Sequence, residues 1–404
     1  GYFLEGNIAL AHTRLSIIDI QKGQQPLIDN RCGLTIIFNG EIVNYKELKK
    51  DLKKNYNEFL TSHSDTEVIL KLYELYGDKC VDYLQGMFSF AIWDKNKKKL
   101  FIARDHLGIK PLYFCETIYG FIFASEIKTI CEIKRNIFNL ENLVDENNLN
   151  EYLVFGNIYG YKTLFKGLHS LKPGHSLTLD RNKKKYKKYW SPTKDINQEL
   201  QNKTESHIID SLDDLIKKVF SEWTISDVET GIFISSGLDS NFLNILIHQN
   251  IDIEKFILNF SGSGENDSEY DLLKKNLGTK IKKINKISSS EDEIYNNLTR
   301  LISHTYLPLN NFNSLTFMHL CKKVSEQSKI KVLYSGDGAD EVFGGYERHY
   351  DILQKKNIKK NLETILIGKN YLSLKRMKLF DNLKLDHFNQ RFDIIKEFKY
   401  QGDK

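Results

Sequence analysis

The pattern of apolar and polar positions divides the chain into two parts. In the first part, short apolar runs typical of β-strands are separated by turns that contain glycine or Asn-Gly. The predicted strands are residues 8–11, 15–18, 34–38, 88–93, 100–103, 111–115 and 121–124, interrupted by helical patterns at residues 45–54 and 66–76. We therefore expect residues 1–190 to form stacked antiparallel sheets, an α+β sandwich rather than a Rossmann domain.

A polar stretch without a clear pattern, residues 191–204, indicates a linker. Beyond it, long helices alternate with single apolar strands. The predicted helices are residues 205–221, 240–249, 268–277 and 313–329, and the predicted strands are residues 230–234, 255–260 and 331–334. Strands that alternate with helices imply a parallel sheet covered on both faces. The fold class is thus an α/β two-domain protein with domains at residues 1–190 and 205–404, and the lysine-rich stretch from residue 353 is predicted to be helical.

Composition and charge exclude several classes of protein. Of the 404 residues, 41% are hydrophobic and 27% are charged, which is typical of a globular chain. A net charge of +5, with the lysines scattered in short runs, does not indicate nucleic-acid binding. The apolar runs are far shorter than the ~20 residues that a membrane-spanning helix needs. We therefore predict a cytoplasmic protein with neither a nucleic-acid nor a membrane partner.

The cysteines are odd in number, widely spaced and without a Cys-x-x-Cys pair. They are Cys32, Cys80, Cys115, Cys131 and Cys321. This spacing favours free thiols in a reducing compartment over disulfides or a zinc site.

Residues 231–240, GIFISSGLDS, carry the first sign of chemistry. An apolar strand runs into a Ser/Gly turn and then a helix, so backbone amides and hydroxyls converge where phosphate oxygens can bind. Asp239 among phosphates requires a bridging cation, for which Mg²⁺ is the natural choice. No lysine follows Gly237, so the loop is not a Walker A motif. The alternative is a plain helix N-cap, with Asp239 favoured by the helix dipole.

Residues 334–341, YSGDGADE, also follow an apolar strand, and VFGGY continues them. Three carboxylates, those of Asp337, Asp340 and Glu341, fall within five residues and need a cation or cationic ligand to coexist. Two such loops at one edge of a parallel sheet suit a nucleotide whose pyrophosphate and metal lie between them. We therefore predict Asp239 and Asp340 as a metal-binding pair.

These motifs resemble a known family. ISSGLDS resembles the pyrophosphate loop of the N-type ATP pyrophosphatases, and SGDGADEVFGGY is similar to the second signature of class B, glutamine-dependent asparagine synthetases. The first part resembles that family's N-terminal nucleophile glutaminase domain in HTRLSIID, FNGEIVNY, SDTEVIL, GMFSFAIWD, ARDHLGIKPLY and FASEIK. The resemblance covers residues 1–350, and so many ordered motifs make chance agreement negligible.

For the first part, the resemblance implies a glutamine site. Arg14 corresponds to the arginine that binds the α-carboxylate of glutamine, a contact that suits a guanidinium fork. Asn39 and Gly40 correspond to the oxyanion hole. Glu41 and Asp65 would hold the α-amino group, and the alternative for Arg14 and Asp65 is an internal salt bridge.

For the second part, the resemblance implies an ATP pyrophosphatase domain with ATP and Mg²⁺ as cofactors. ATP would activate the β-carboxylate of aspartate as an acyl-adenylate, and ammonia from glutamine would convert it to asparagine, with AMP and pyrophosphate as products. The residues assigned to pyrophosphate and Mg²⁺ are Ser235, Ser236, Gly237, Asp239 and Ser240, with Asp340 as the second metal ligand. Phe233 and Leu258 correspond to the adenine site, and Ser335 and Gly336 to the ribose and α-phosphate site. Asp337 replaces a frequent glutamate near the acyl-adenylate and is assigned a catalytic role.

The sequence departs from the family at both ends. The family's catalytic cysteine is the first residue of the mature chain, tens of residues upstream of the motif at Arg14, whereas Gly1 begins this sequence. Without that thiol no thioester forms. The family's catalytic lysine lies in a Lys-x-Asp-Arg segment that has no convincing match after Tyr346. We therefore expect a fragment that lacks both termini and is itself inactive as a glutaminase.

Three internal differences concern the acceptor. Ser236 and Asn259 stand where glycine is usual, and residues 306–314, YLPLNNFNS, replace an acidic stretch that borders the acceptor pocket. These differences leave open a same-family enzyme that amidates another carboxylate, such as a sugar acid, and a nucleotide-binding pseudoenzyme. The resemblance also leaves a homodimer open.

Overall fold

The computed structural model describes residues 1–180, 183–192, 203–248, 253–260, 270–273, 284–309 and 312–346. These residues fall into two units, Gly1–Gly336 and Asp337–Lys404. The first unit holds both the antiparallel sheets of the first part and the parallel sheet of the second part.

Strands dominate residues 1–190. They are β1 (Tyr2–Glu5), β2 (Ile8–Ala11), β3 (Leu27–Asp29), β4 (Leu34–Ile42), β5 (Gly86–Asp94), β6 (Lys99–Arg104), β7 (Tyr113–Thr117), β8 (Gly120–Ala124), β9 (Leu168–Ser170), β10 (His175–Asp180) and β11 (Lys183–Lys188). The helices are α1 (Tyr45–Leu52), α2 (Asp65–Tyr76), α3 (Ile127–Asn136) and α4 (Glu146–Phe155), and a 3-10 helix spans Gly77–Tyr83. The strands form the hairpin β1-β2, a six-stranded antiparallel sheet in the order β11-β10-β6-β5-β4-β3, and a three-stranded sheet in the order β8-β7-β9.

The alternation of side chains along β5 shows how these layers stack. Phe88, Phe90 and Ile92 face a core shared with α2, whereas Ala91 and Trp93 face a second core shared with the three-stranded sheet. Successive side chains of a strand point to opposite faces of the sheet, so alternate residues of β5 pack in the two different cores. The six-stranded sheet therefore lies between helices on one face and a second sheet on the other, which confirms the predicted α+β sandwich.

The second part of the first unit is built on a parallel sheet. Its elements are α5 (Glu205–Trp223), β12 (Thr230–Phe233), α6 (Leu238–His248), β13 (Glu254–Phe260), β14 (Ile284–Ser289), α7 (Glu291–Tyr295), α8 (Leu298–Thr305), α9 (Asn313–Gln327) and β15 (Val332–Tyr334). The order is β14-β13-β12-β15, and all pairings are parallel. Ile232 packs in a core on one face and Phe233 in a core on the other, which explains the continuous apolar run.

The second unit contributes α10 (Ala339–Phe343) to the described structure. Gly338, with φ 96°, precedes it and Gly344, with φ 72°, follows it, so glycines in the left-handed region bound this single turn. The Tyr346 hydroxyl donates to Oε1 of Glu341 at 2.5 Å.

Two local predictions were wrong. Residues 15–18 were predicted as a strand but form a loop, because their backbone carbonyls bond the Arg14 side chain and a distant amide instead of a neighbouring strand. Asn39-Gly40 was predicted at a turn but lies inside β4, where Gly40 pairs with Phe88. Gly40 is needed there because its φ is 151° and a Cβ atom would lie 2.1 Å from the Met87 carbonyl oxygen.

Two predicted helices fall wholly or partly on residues that the structure does not describe. Of residues 268–277, only 270–273 are described, and they are helical. The predicted helical stretch from residue 353 lies outside the described residues, as does most of the predicted linker at residues 191–204. The domain boundaries accordingly stay a prediction.

No helix in the described ranges is both long and apolar enough to span a bilayer. All five cysteines are free, as predicted, and Cys80, Cys115 and Cys131 are buried.

A buried ion pair anchors α2 to the six-stranded sheet. Lys71 on α2 is 2% exposed, and its Nζ lies 2.8 Å from both Oδ2 of Asp29 on β3 and Oε2 of Glu74. Arg31 also donates to both carboxylate oxygens of Asp29 at 2.9 Å, and with Lys71 it holds the pKa of Asp29 well below its usual range against the effect of burial. The pair matters for the site because Asp65 begins the same helix.

Replacing Lys71 should therefore destabilise the fold. We expect Lys71→Ala to lower the free energy of unfolding by about 3 kcal/mol, since it removes the buried cation that Asp29 and Glu74 share. Lys54→Ala is the matched control, because Lys54 pairs with Asp51 at 2.8 Å on an exposed surface, where an ion pair contributes little to stability. Urea unfolding measures both variants, and equal losses would contradict the anchoring role of Lys71.

Candidate functional site

A cleft of 1920 Å³ opens in the antiparallel part of the chain. Its lining includes all five residues predicted for glutamine: Arg14, Asn39, Gly40, Glu41 and Asp65. They come from the loop after β2, from β4 and from the start of α2. Folding thus brings together residues that lie up to 51 positions apart in the sequence.

The guanidinium of Arg14 is held by backbone carbonyls. Nη2 donates to the carbonyl oxygens of Ile18 and, at 3.2 Å, Asp19, while Nη1 donates to Oγ of Ser16 at 3.4 Å. Gly23 packs so closely that a Cβ atom there would lie 2.4 Å from Nη2. In the described part of the chain no ion pair involves Arg14 or Asp65, so the alternative of a salt bridge between them is not formed.

Glu41 and Asp65 are two carboxylates that burial makes difficult to ionise. Burial, with the negative charge of Asp65 adding to it, raises the pKa of Glu41 to about 7, and Lys110 only partly offsets this. Burial also raises the pKa of Asp65 to about 6, although Asp65 accepts a hydrogen bond from the Ile42 amide at 3.1 Å and lies near the Arg14 charge. A cation bound beside these carboxylates would favour their ionised forms.

Asn39 and Gly40 occupy neighbouring positions on β4. The Asn39 side chain donates from Nδ2 to Oγ of Ser125 at 3.4 Å. Ser125 also lines the cleft. The strand therefore fixes one side-chain amide at the cleft wall, beside a backbone that only glycine fits.

A second set of residues supports the cleft but received no role from the sequence. Asp105 is fully buried, and its carboxylate accepts four amides: those of Phe88 (3.2 Å), Leu107 (3.1 Å), Ile109 (2.9 Å) and Lys110 (2.9 Å). Arg104 donates to the carbonyl oxygens of Gly108 (2.7 Å), Lys110 (2.7 Å) and Leu171 (2.6 Å). Together they fold the loop that presents Lys110 to Glu41. In the sequence, the one sign of this supporting role is that Arg104 and Asp105 are adjacent in the ARDHLGIKPLY motif.

The Ser/Gly loop lies between β12 and α6, at the carboxyl edge of the parallel sheet. Oγ of Ser235 and Oγ of Ser240 lie 2.8 Å apart, and Asn241 donates from Nδ2 to the carbonyl oxygens of Ser235 (3.0 Å) and Gly237 (2.7 Å). These bonds close the loop over the first turn of the helix. The amides at the start of a helix have no partner within it, so this turn can bind an anion.

The loop after β15 approaches the first loop at Gly336. A Cβ atom at Gly336 would lie 3.2 Å from the Ser240 amide nitrogen and 3.4 Å from Cβ of Asp239. Parallel pairing of β12 with β15 places both loops at one edge of the sheet. The structure therefore brings Ser335 and Gly336 next to the loop that begins at Ser235.

Phe233 and Leu258 share one apolar cluster with Phe256, Ile287 and Val324. The Phe233 ring lies 5.4 Å from that of Phe317, with an edge-to-face tilt of 69°. The two residues predicted for adenine thus lie on adjacent parallel strands and meet in one cluster.

Asp337 and Asp340 belong to the second unit, in which Asp340 lies in α10. The pairing of Asp340 with Asp239 stays a prediction. Among the described residues, no group of three or more His, Cys, Asp or Glu side chains is placed to hold a metal ion. Mg²⁺ sites that use one or two carboxylates together with substrate phosphates do not need such a group, so Asp239 in the first turn of α6 fits this kind of ligand.

Comparisons with known proteins agree with this geometry. Residues 1–190 match the family model for the glutamine amidotransferase domain, and residues 211–400 match the model for asparagine synthase. Their order along the chain is the order of the antiparallel and parallel sheets.

Relatives include "Asparagine synthetase (glutamine-hydrolyzing) 1" of Bacillus subtilis, which is 32% identical over 363 residues, covering 88% of this chain and 54% of the relative. "Putative asparagine synthetase (glutamine-hydrolyzing) 2" of Methanocaldococcus jannaschii is 30% identical over 367 residues, covering 86% of this chain and 68% of the relative. The chain spans about half the length of the Bacillus subtilis relative. On these matches, the chain belongs to the glutamine-hydrolysing asparagine synthetase family.

Proposed function

We propose that the chain carries the glutamine site and the ATP site of an enzyme that makes asparagine from aspartate. The observation that carries this proposal is the cleft in which Arg14 lies with Glu41 and Asp65. One fixed cation and two carboxylates complement the α-carboxylate and α-ammonium groups of an amino acid. The family membership names glutamine as that amino acid.

In this proposal, Arg14 binds the α-carboxylate and Glu41 with Asp65 binds the α-ammonium group. Because backbone carbonyls already orient the guanidinium, little side-chain entropy is lost when the carboxylate binds. The ammonium group neutralises two carboxylates whose ionisation is otherwise disfavoured by burial.

The reaction at this cleft is hydrolysis of the side-chain amide of glutamine to glutamate and ammonia. Nδ2 of Asn39 and the backbone N–H of Gly40 would stabilise the negative oxygen of the tetrahedral intermediate. The five cysteines, all within the described residues, are absent from the lining of the cleft. Because no cysteine lies there to act as the nucleophile, experiments on this chain measure the binding of glutamine and not its hydrolysis.

At the parallel sheet, the proposed reaction joins aspartate to ATP. An oxygen of the β-carboxylate attacks the α-phosphorus, the bond to pyrophosphate breaks, and an aspartyl-adenylate forms. Ammonia then displaces AMP from the acyl carbon and, after losing a proton, gives asparagine. The loop from Ser235 to Ser240 and the N-terminus of α6 would bind the departing pyrophosphate.

Mg²⁺ bound to Asp239 and Asp340 would neutralise part of the phosphate charge. Phe233 and Leu258 would contact adenine, Ser335 and Gly336 the ribose and α-phosphate, and Asp337 the adenylate. Aspartate is the acceptor that the names of the relatives support, and a different carboxylate is the alternative.

The pKa values of the cleft lead to a pH prediction. Since the α-ammonium group needs ionised partners, glutamine affinity should fall as the pH drops through about 7 for Glu41 and about 6 for Asp65. We expect the Kd for L-glutamine, measured by calorimetry, to rise roughly tenfold or more between pH 8 and pH 5.5. A Kd that stays constant over this range would show that these carboxylates do not bind the ammonium group.

The Glu41 carboxylate should destabilise the protein without bound glutamine at high pH. The pKa of Glu41 is raised from 4.5 to about 7 in the folded state. Ionisation of Glu41 therefore lowers the free energy of unfolding as the pH rises from 4.5 to about 7. Glu41→Gln should therefore raise the free energy of unfolding above pH 7, on the order of 1–3 kcal/mol, while weakening glutamine binding. Glu47→Gln, at an exposed position of α1, should change neither quantity appreciably, and a stability loss in Glu41→Gln would contradict the assignment.

The ATP site is tested by exchange of labelled pyrophosphate into ATP in the presence of a carboxylic acid. Asp239→Asn should reduce the exchange rate by about 100-fold, because it removes a charge that holds the metal beside the pyrophosphate. Asp213→Asn is the control, since Asp213 pairs with Lys217 on the exposed face of α5. Unchanged exchange in Asp239→Asn would refute the proposed mechanism, and stimulation by a uronic acid rather than aspartate would identify the other acceptor.

A further inference from the structure

The short segment before β12 joins the parallel sheet to the antiparallel part. Ile225 packs against the core of the antiparallel part, which includes Ile17 and Ile18. Asp227 follows two residues later, and β12 begins at Thr230. The segment that leads into β12 therefore contacts the loop that carries Arg14.

Asp227 closes a set of hydrogen bonds across this contact. Its Oδ2 accepts the Asp19 amide at 2.8 Å and lies 2.5 Å from Nε2 of His63, and its own amide donates to the Ile17 carbonyl oxygen at 3.2 Å. The Asp19 carboxylate in turn accepts the amides of His63 at 2.8 Å and Lys22 at 3.2 Å. Asp19 has a φ of 51°, which is uncommon for a residue other than glycine and needs such support.

The same stretch of backbone holds Arg14. The carbonyl oxygens of Ile18 and Asp19 accept the Arg14 guanidinium, while the carbonyl oxygen of Ile17 and the amide of Asp19 bond Asp227. The backbone groups that bond Arg14 and those that bond Asp227 therefore alternate along residues 17–19. Because the Ile18 carbonyl and the Asp19 amide share one peptide plane, a change at Asp227 would turn a plane that orients Arg14. Asp227 does not line the cleft.

We propose that Asp227 is a positioning residue for the glutamine site, which acts on the substrate through the 17–19 backbone and Arg14. This inference rests on the proposed function, in that Arg14 is taken to bind the α-carboxylate of glutamine. Asp227 lies in the part of the chain that we propose to bind ATP, and the inference gives it a role in the affinity for glutamine.

The test compares Asp227→Asn with the unmodified 404-residue chain. Asn keeps the size of the side chain but carries no charge, so its carbonyl oxygen is a weaker acceptor than the carboxylate Oδ2 that both the Asp19 amide and His63 contact. We expect the Kd for L-glutamine to rise roughly tenfold, and the Kd for ATP with Mg²⁺ to change less than about twofold. Asp213→Asn, on the exposed face of α5, should leave both constants unchanged.

A double mutant separates positioning from a general effect on structure. If Asp227 acts through Arg14, Asp227→Asn should have little further effect on glutamine affinity once Arg14→Lys has been introduced, whereas independent effects would multiply. Amide exchange adds a measurement without ligand: amides of residues 12–23 should exchange at least about tenfold faster in Asp227→Asn, with β5 and β12 unaffected.

Several outcomes would overturn the proposal. Unchanged glutamine affinity in Asp227→Asn would refute it while leaving the glutamine site intact. Multiplicative effects in the double mutant, or a parallel loss of ATP affinity with faster exchange throughout β5 and β12, would show a merely structural residue. A wild-type chain that does not bind glutamine would refute the proposed function itself, and this inference with it.

Discussion

The organisation of the cleft follows from two carboxylates that the fold holds close to each other away from water. Burial disfavours the ionised form of Glu41 and of Asp65, and the charge of Asp65 adds to the effect on Glu41. Such an arrangement persists only where the surrounding structure is stable enough to impose it. Here β4 carries one carboxylate and the first turn of α2 carries the other, and both elements are anchored in the core.

Other buried carboxylates hold the backbone around this cleft in place. Glu67 on α2 is fully buried and accepts the amides of Leu60 at 2.6 Å and Thr61 at 2.7 Å. Asp105 accepts three amides of its own loop and the amide of Phe88 on β5. It thereby fixes the backbone of Lys110, whose charge partly offsets the raised pKa of Glu41. The carboxylates of Glu67 and Asp105 are each satisfied by several hydrogen bonds, as burial of a charge requires. The support for the site thus extends well beyond the residues that line it.

Much of this could be read from the sequence where the pattern was strong. Short apolar runs separated by glycine turns identified the sandwich, and single apolar strands alternating with helices identified the parallel sheet. The loop at residues 15–18 was mistaken for a strand, because Ile17 and Ile18 do pack in the core, whereas the Ile18 carbonyl oxygen accepts Arg14 instead of pairing with a strand. Short or polar strands gave too weak a signal: β11 is a lysine-rich edge strand, and β3 has three residues.

The roles of Asp105 and Asp227 were beyond sequence reasoning for a different reason. Both act through backbone amides, and the spacing of side chains carries no information about which amides a carboxylate will accept. For Asp227 the partner amide at Asp19 is 208 residues away, so the contact exists only once the two sheets have packed together. The family motifs located the side chains that we propose to bind substrate but not the groups that orient them.

The negative charge of Glu41 also acts on a side chain of the parallel sheet. Tyr334, at the end of β15 and next to Ser335, has a pKa raised to about 12, first by burial and then by the negative charge of Glu41 in the glutamine cleft. Tyr152 reaches the carbonyl oxygen of Leu309 at 2.7 Å, and Tyr306 reaches Oε1 of Glu132 at 3.0 Å, so the contact between the two parts is broad. The two parts therefore meet through the charge of Glu41 as well as through hydrogen bonds.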